Sequence, residues 1–145
     1  MKSLVTGGAG FIGSNLVDKL VKLGHKVVVI DNEYSDVHEQ FYYNDKAEYH
    51  NLDIRDQATR NLYDDVDYVF HLAAEARIQP AVLNPIEAVS INSVGTCTVL
   101  QFAREAKVKR VIYSSTSSGY GLNPAPNVEA QPDDCLNPYS VSKVN

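Results

Sequence analysis

Two groups of residues have the types and spacing to do chemistry. Near the start, Thr6-Gly7-Gly8-Ala9-Gly10-Phe11-Ile12-Gly13 sets glycines between a short apolar run and a helical pattern. Glycines there permit a tight turn, close approach of a pyrophosphate and close packing of helix on strand. The helix start behind them offers unpaired N–H groups and a positive dipole end to phosphate. Near the end, Tyr139 and Lys143 stand four apart, which makes them neighbours on one face of a helix. A tyrosine titrates at about 10, so acting as a base near pH 7 needs a shift worth ~4 kcal/mol. One positive charge at about 4 Å in an effective dielectric of about 20 supplies that much. Each pattern alone is weak, because a ligand-free glycine turn and a surface helix with Tyr and Lys are both common. Their combination raises the weight of each.

Asp31 follows the second apolar run, 18 residues after Gly13. A carboxylate there can accept hydrogen bonds from both hydroxyls of a ribose and repels a 2′-phosphate. No arginine stands in Asn32-Glu33, so the expected cofactor is NAD and not NADP. Ser114-Ser115-Thr116-Ser117-Ser118 closes a later strand with hydroxyls. In open α/β sheets that edge is where ligands bind.

The elements that must hold these groups alternate. Strands are expected at Ser3–Thr6, Lys26–Ile30, Ala47–Leu52, Asp67–Leu72 and Arg110–Ser114. Helices are expected from Ile12 to a stop at Gly24, at Asp56–Tyr63, from Asn84-Pro85 to about Ala106, and from Tyr139. The third of these should bury Ile86, Val89, Val99, Leu100 and Ala103. This alternation predicts one α/β domain over 1–145: a Rossmann-type, doubly wound parallel sheet with helices on both faces. A polar stretch around Asp36–Asp45 separates the second strand from the third. Ser115–Pro138 holds four of the 6 prolines and no obvious element, as functional loops do. The last helix stops within about two turns, so the fold is expected to be truncated at its C-terminal end.

Composition bounds the rest. The 145 residues are 44% hydrophobic and 21% charged, as in globular proteins and unlike disordered chains. A formal charge of −5 without a basic stripe argues against nucleic acid as a partner. No apolar window approaches the ~18 residues of a membrane span, and the N-terminus does not read as a secretory signal. Cys97 and Cys135 match no CxxC pattern and read as reduced thiols of a cytoplasmic protein. His71 lacks a metal-spaced partner, so no metal is expected. The cluster Phe41-Tyr42-Tyr43 reads as a packed loop, Asp133-Asp134-Cys135 as solvated loop and Arg77 as surface charge.

Taken in order, several segments carry a resemblance: TGGAGFIG from Thr6, Asp31-Asn32, LDIRD around Asp53, HLAA from His71, NSVGT from Asn92, YSSTSSGYG from Tyr113 and NPYSVSK from Asn137. The chain resembles the extended short-chain dehydrogenase/reductase family, most closely its nucleotide-sugar 4-epimerases acting on UDP-glucose or UDP-glucuronate. The resemblance runs the whole chain and covers the first half of a family member. It implies that Tyr139 is the base and acid toward the sugar O4, while Lys143 binds the nicotinamide ribose and lowers the tyrosine pKa. Thr116 takes the place of the substrate-bonding hydroxyl, with Ser115 beside it. Gly7, Gly10, Phe11, Ile12 and Gly13 would lie along the pyrophosphate turn, Asp31 and Asn32 against the adenosine ribose, and Asp53 and Ile54 against adenine. Leu72, Ala73, Ala74 and Ser114 would line the cofactor groove, and Asn92 would support the site from the next helix. Gly95 costs ~1 kcal/mol in a helix relative to alanine, which suits a need for close packing.

The implied reaction is 4-epimerisation of a UDP-hexose by transient oxidation at C4, with hydride passing to NAD and back. Dehydratases of the family carry an Asp-Glu pair where this chain has Ser117-Ser118, and decarboxylase-like members carry Glu where it has Ser118. Both readings are therefore weaker. The competing readings are a module that binds NAD without turnover, one half of a split enzyme, and an inert remnant. The expected partners are a nucleotide-sugar substrate and either a second copy, forming a homodimer, or a missing C-terminal half. That missing half should leave an apolar patch exposed at the sheet.

Overall fold

The computed structural model describes residues 1–35 and 40–144. The first part of the expected polar stretch, residues 36–39, lies outside the described residues. The chain divides into two compact units, Met1–Ala73 with Gly95–Ser114 and Ala74–Val94 with Ser115–Asn145.

The first unit is built on five parallel strands in the order β3-β2-β1-β4-β5. They are β1 (Lys2–Thr6), β2 (Lys26–Ile30), β3 (Glu48–His50), β4 (Tyr68–His71) and β5 (Arg110–Tyr113). Register places Leu4 beside Val28 and Val69, and Thr6 beside Ile30 and His71. Side chains alternate across a strand, so both faces of β1 and β2 must be covered. Val5, Val27 and Val29 pack with Val17 and Leu20 of helix α1 (Phe11–Lys22) on one face. Leu4, Ile30 and Val69 pack on the other with Ile54, Tyr63, Val99, Phe102 and Ala103. Helix α1 ends as expected, with Gly24 at φ +80° just beyond it. The helix expected at Asp56–Tyr63 is a 3-10 helix over Gln57–Tyr63, capped by Asp56, whose side chain accepts from the Ala58 N–H.

One helical expectation needs correction. The run begun by Asn84-Pro85 is not one helix: α3 (Pro85–Val89) passes through a π turn at Ser90–Val94 into α4 (Gly95–Glu105). Its inward stripe is Ala88, Ile91, Asn92, Gly95, Val99, Phe102 and Ala103. Ile86 is 83% exposed, Leu100 47% and Val89 40%, although all three were expected in the core. Val99 and Ala103 are buried as expected, but the stripe also takes in Ala88, Asn92 and Gly95, which hydrophobicity alone misplaces. Ile12, at the start of α1, is 68% exposed, and Gly13 takes the inward place beside the glycine turn.

The second unit contains a helix that was not expected, α2 (Ile78–Leu83), together with α3, the π turn and α5 (Pro138–Val144). Helix α5 has only 7 residues and is held by packing, with Ser140, Ser142 and Lys143 buried. The long loop before it contains a 3-10 helix at Ser117–Tyr120. Asp134, expected to be solvated, closes this loop: its carboxylate accepts from the Leu122 N–H at 2.8 Å, and its own N–H donates to Gly119 O at 2.8 Å.

Candidate functional site

In the first unit the glycine turn is shaped by backbone contacts. Gly7 has φ +71°, and a Cβ there would lie 2.7 Å from the backbone N of Ala73. A Cβ on Gly13 would lie 2.0 Å from Gly7 O. Both glycines are therefore required by the fold. Gly10 differs: the nearest atom to a Cβ there is Gly7 O at 3.6 Å. Among the described residues the space over Gly10 is open, at the N-terminus of α1, where no side chain caps the helix. A cradle that a Cβ would fill, beside helix-start amides, fits the pyrophosphate of a dinucleotide.

Asp31 leaves β2 and is aimed by two backbone donors. Its Oδ2 accepts from the Ala9 N–H and its Oδ1 from the Glu33 N–H, both at 2.9 Å. Each oxygen keeps a lone pair for a ribose hydroxyl. The carboxylate and the glycine turn are thus one assembly.

Asp53, beyond β3, is gripped by Arg55. The Arg55 Nε and Nη2 donate to its two oxygens at 2.9 and 2.7 Å, and the Arg55 N–H adds a bond of 2.8 Å. Hydrogen bonding from the guanidinium holds the Asp53 carboxyl below its ordinary pKa. The Asn32 amide approaches Asp53 Oδ2 at 3.4 Å. Ile54 is buried, and a Cβ on Gly95 would lie 2.6 Å from its Cδ1, which accounts for that helix glycine.

The wall expected at Leu72 and Ala73 is tied to β1. Leu72 N–H donates to Thr6 O at 3.1 Å, and Ala73 N–H to Thr6 Oγ1 at 3.2 Å. The buried ring of His71 lies 2.7 Å from Thr6 Oγ1 through Nδ1 and 2.9 Å from Thr96 Oγ1 through Nε2. His71 is thus a hydrogen-bonded core histidine. Ser114 donates its N–H to His71 O at 3.1 Å as the chain leaves β5. Phe11 is 68% exposed at the start of α1. The aromatic loop lies against the same helix: Phe41, Tyr42, Tyr43 and Tyr49 line a cavity of about 540 Å³ with Phe11 and Asp18.

In the second unit, Ala74 begins the segment that leads to Asn92, and the π turn is bonded to helix α5. Asn92 accepts from the Glu75 N–H at 2.8 Å and donates to Glu75 O at 3.1 Å and to Ser142 Oγ at 2.9 Å. Ser93 Oγ donates to Ser142 O at 3.1 Å. Two consecutive residues thus reach one residue of α5. Tyr139 and Lys143 are carried on that helix, and Ser142 Oγ donates to Tyr139 O at 2.9 Å. Lys143 is 3% exposed, and burial pushes its ammonium down to about 8. Ser115 Oγ donates to Lys143 O at 3.3 Å, whereas Thr116 Oγ1 accepts from the Ser118 N–H at 3.1 Å. Of the two hydroxyls, Thr116 is the one that keeps its proton for another acceptor.

Sequence reasoning quoted the segments that contain Arg55, Thr6, Ser93 and Ser142 but gave these residues no role. The Asp-x-Arg spacing of Asp53 and Arg55 was available as a signal; the other three are ordinary small polar residues. Among the described residues no cluster of His, Cys, Asp and Glu could hold a metal ion, and no helix is long and apolar enough to cross a membrane.

Comparison with known proteins decides the lineage. Residues 3–145 match the NAD dependent epimerase/dehydratase family. The chain belongs to that family. Among its relatives in this epimerase/dehydratase family is a putative UDP-glucose 4-epimerase of Methanocaldococcus jannaschii, 38% identical over 144 residues, which cover 97% of this chain and 47% of that protein. The UDP-glucose 4-epimerase of Thermotoga maritima, solved with UDP-glucose, is 36% identical with a TM-score of 0.91, covering 99% of this chain and 48% of that one. A UDP-glucose-4-epimerase of Stenotrophomonas maltophila, solved with bound NAD and formylated UDP-arabinopyranose, is 26% identical with a TM-score of 0.86, covering 99% and 46%. The chain spans about half the length of the relatives it matches.

Proposed function

We propose that this chain is the cofactor-holding part of an NAD-dependent nucleotide-sugar 4-epimerase whose substrate is a UDP-hexose. The observation that carries the reading is the single assembly of Gly10, left open toward a ligand, with Asp31 aimed from the same turn by the Ala9 N–H. Gly7, Gly10, Gly13 and the helix-start amides of Phe11 and Ile12 would hold the pyrophosphate. Asp31 and Asn32 would take the adenosine ribose, with Asp53 and Ile54 at the base. Bound NAD would supply reversible two-electron oxidation of the sugar C4 alcohol.

The chain's own residues then handle protons. Tyr139 takes the O4 proton and returns it, and Lys143, one turn along α5, supplies the positive charge that favours the phenolate. Thr116 donates a hydrogen bond to a substrate oxygen. Epimerisation needs no additional acid–base pair, in keeping with Ser117 and Ser118 after Thr116.

A second reading is binding of NAD without turnover, which the open space over Gly10 and the aimed Asp31 support equally. Calorimetric titration with NAD and with NADP tests the cofactor, and absorbance of the reduced cofactor on adding a UDP-sugar tests turnover. Binding of NAD alone with reduction supports the epimerase. Binding without reduction supports the module, and binding of neither dinucleotide overturns both.

A further inference from the structure

The grip of Arg55 on Asp53 does more than neutralise a charge. A carboxylate offers about four lone-pair positions. Arg55 fills three of them: its backbone N–H and Nε on Oδ1, and its Nη2 on Oδ2, all within 2.9 Å. The fourth, on Oδ2, faces the Asn32 amide at 3.4 Å, a distance at which the bond is weak. An incoming N–H donor can displace that amide and gain a short, charge-assisted bond. Both residues adjoin Asp31: Asn32 follows it in sequence, and Asp31 N–H is bonded at 3.1 Å to His50 O, where β3 ends. A ligand whose ribose diol meets Asp31 would therefore bring its base to this edge.

We propose that Arg55 is a positioning residue for base recognition: it orients Asp53 so that one oxygen presents a single acceptor position, which selects a purine carrying an exocyclic amino group over one carrying a carbonyl. The inference rests on the NAD reading above and adds to it the residue that makes Asp53 selective. A carbonyl at that position would face a carboxylate oxygen with no proton between them, which is repulsive. Without the fork, only the backbone N–H of residue 55 holds Asp53, and the second oxygen is no longer fixed toward the ligand. The preference then falls even though the carboxylate remains.

The test compares NAD with nicotinamide hypoxanthine dinucleotide, in which a carbonyl replaces the adenine amino group. Dissociation constants are measured by calorimetry for the unaltered chain, Arg55→Met and Arg55→Lys. The lysine variant keeps the positive charge beside Asp53 and lacks only the fork, so it serves if the methionine variant does not fold. The unaltered chain should bind NAD at least about tenfold more tightly than the hypoxanthine analogue. In either variant that ratio should fall to within about threefold. A ratio unchanged in Arg55→Lys would overturn the proposal and leave the fork as a loop closure only. An unaltered chain that binds both dinucleotides equally would show that Asp53 does not read the amino group. Binding of neither by the unaltered chain would overturn the NAD reading, and the proposal with it.

Discussion

Asn92, on the π turn of one helical run, donates a hydrogen bond of 2.9 Å to the buried hydroxyl of Ser142 in the helix that carries Tyr139 and Lys143. The same side chain spans both backbone groups of Glu75. A π turn inserts one extra residue into a helix and is frequent at functional sites. Here it lets consecutive residues, Asn92 and Ser93, address one residue of α5. Replacing Asn92 by leucine keeps the volume but leaves the Glu75 N–H and the Ser142 hydroxyl without this partner. The expected cost is about 3 kcal/mol, read from urea unfolding monitored by circular dichroism.

Gly10 and Gly13 should separate two roles of glycine. Alanine at Gly13 collides with the backbone of the turn and should lower stability by at least about 2 kcal/mol. Alanine at Gly10 meets no atom of the described residues closer than 3.6 Å. Its effect on folding should stay within about 1 kcal/mol, the scale of a helix-cap change. Its methyl would occupy the space offered to a pyrophosphate, so NAD affinity should fall at least about tenfold. Paired melting curves and calorimetric titrations check both halves of the contrast, and unaltered NAD affinity in the Gly10→Ala chain would remove Gly10 from the site.

Tyr63 packs edge-on against Phe102 at 5.8 Å in the first unit, fully buried, and its hydroxyl has no hydrogen-bond partner among the described residues. Burial alone raises its pKa. An unsatisfied buried hydroxyl costs free energy, so Tyr63→Phe should stabilise the chain by about 1 kcal/mol. A chemical-denaturation midpoint that moves downward instead would mean that the hydroxyl finds a partner in solution.

Lys143 carries a pH signature. Burial lowers its pKa from 10.5 to about 8, so the folded chain gives up this proton before the unfolded chain does. Between those values the unfolded state binds more protons, and stability contributed by this group rises with pH. Below about pH 8 the penalty of a buried ammonium is present in full. Lys143→Met should therefore be the more stable chain at pH 7, by an amount on the order of 2 kcal/mol. Its advantage should shrink as the pH is raised from about 8 toward 10.5, the ordinary lysine value. Denaturant titrations of both chains at pH 7, 8, 9 and 10 follow the difference directly.

Much was legible in the residues themselves, because it depends on local rules. The alternation of β-branched runs with helical spacing announced a parallel sheet. The strand β2 was readable because Val27-Val28-Val29-Ile30 is apolar throughout and therefore buried on both faces. Gly7, Gly13 and Asp31 were readable because turn geometry and strand ends admit few residue types. The helical face at Ile86, Val89 and Leu100 was not, since apolar character does not say which side of a helix meets a partner. Nor was the π turn, whose extra residue has no compositional mark. The grip of Arg55 on Asp53, the seat of His71 between Thr6 and Thr96, and the junction of Asn92 with Ser142 bring together small or charged residues that sequence treats as surface. Local sequence determined where the chain turns and which backbone could approach a ligand. Tertiary structure alone decided which polar groups found partners, because a buried hydrogen bond depends on atoms that meet only after the sheet and helices have packed.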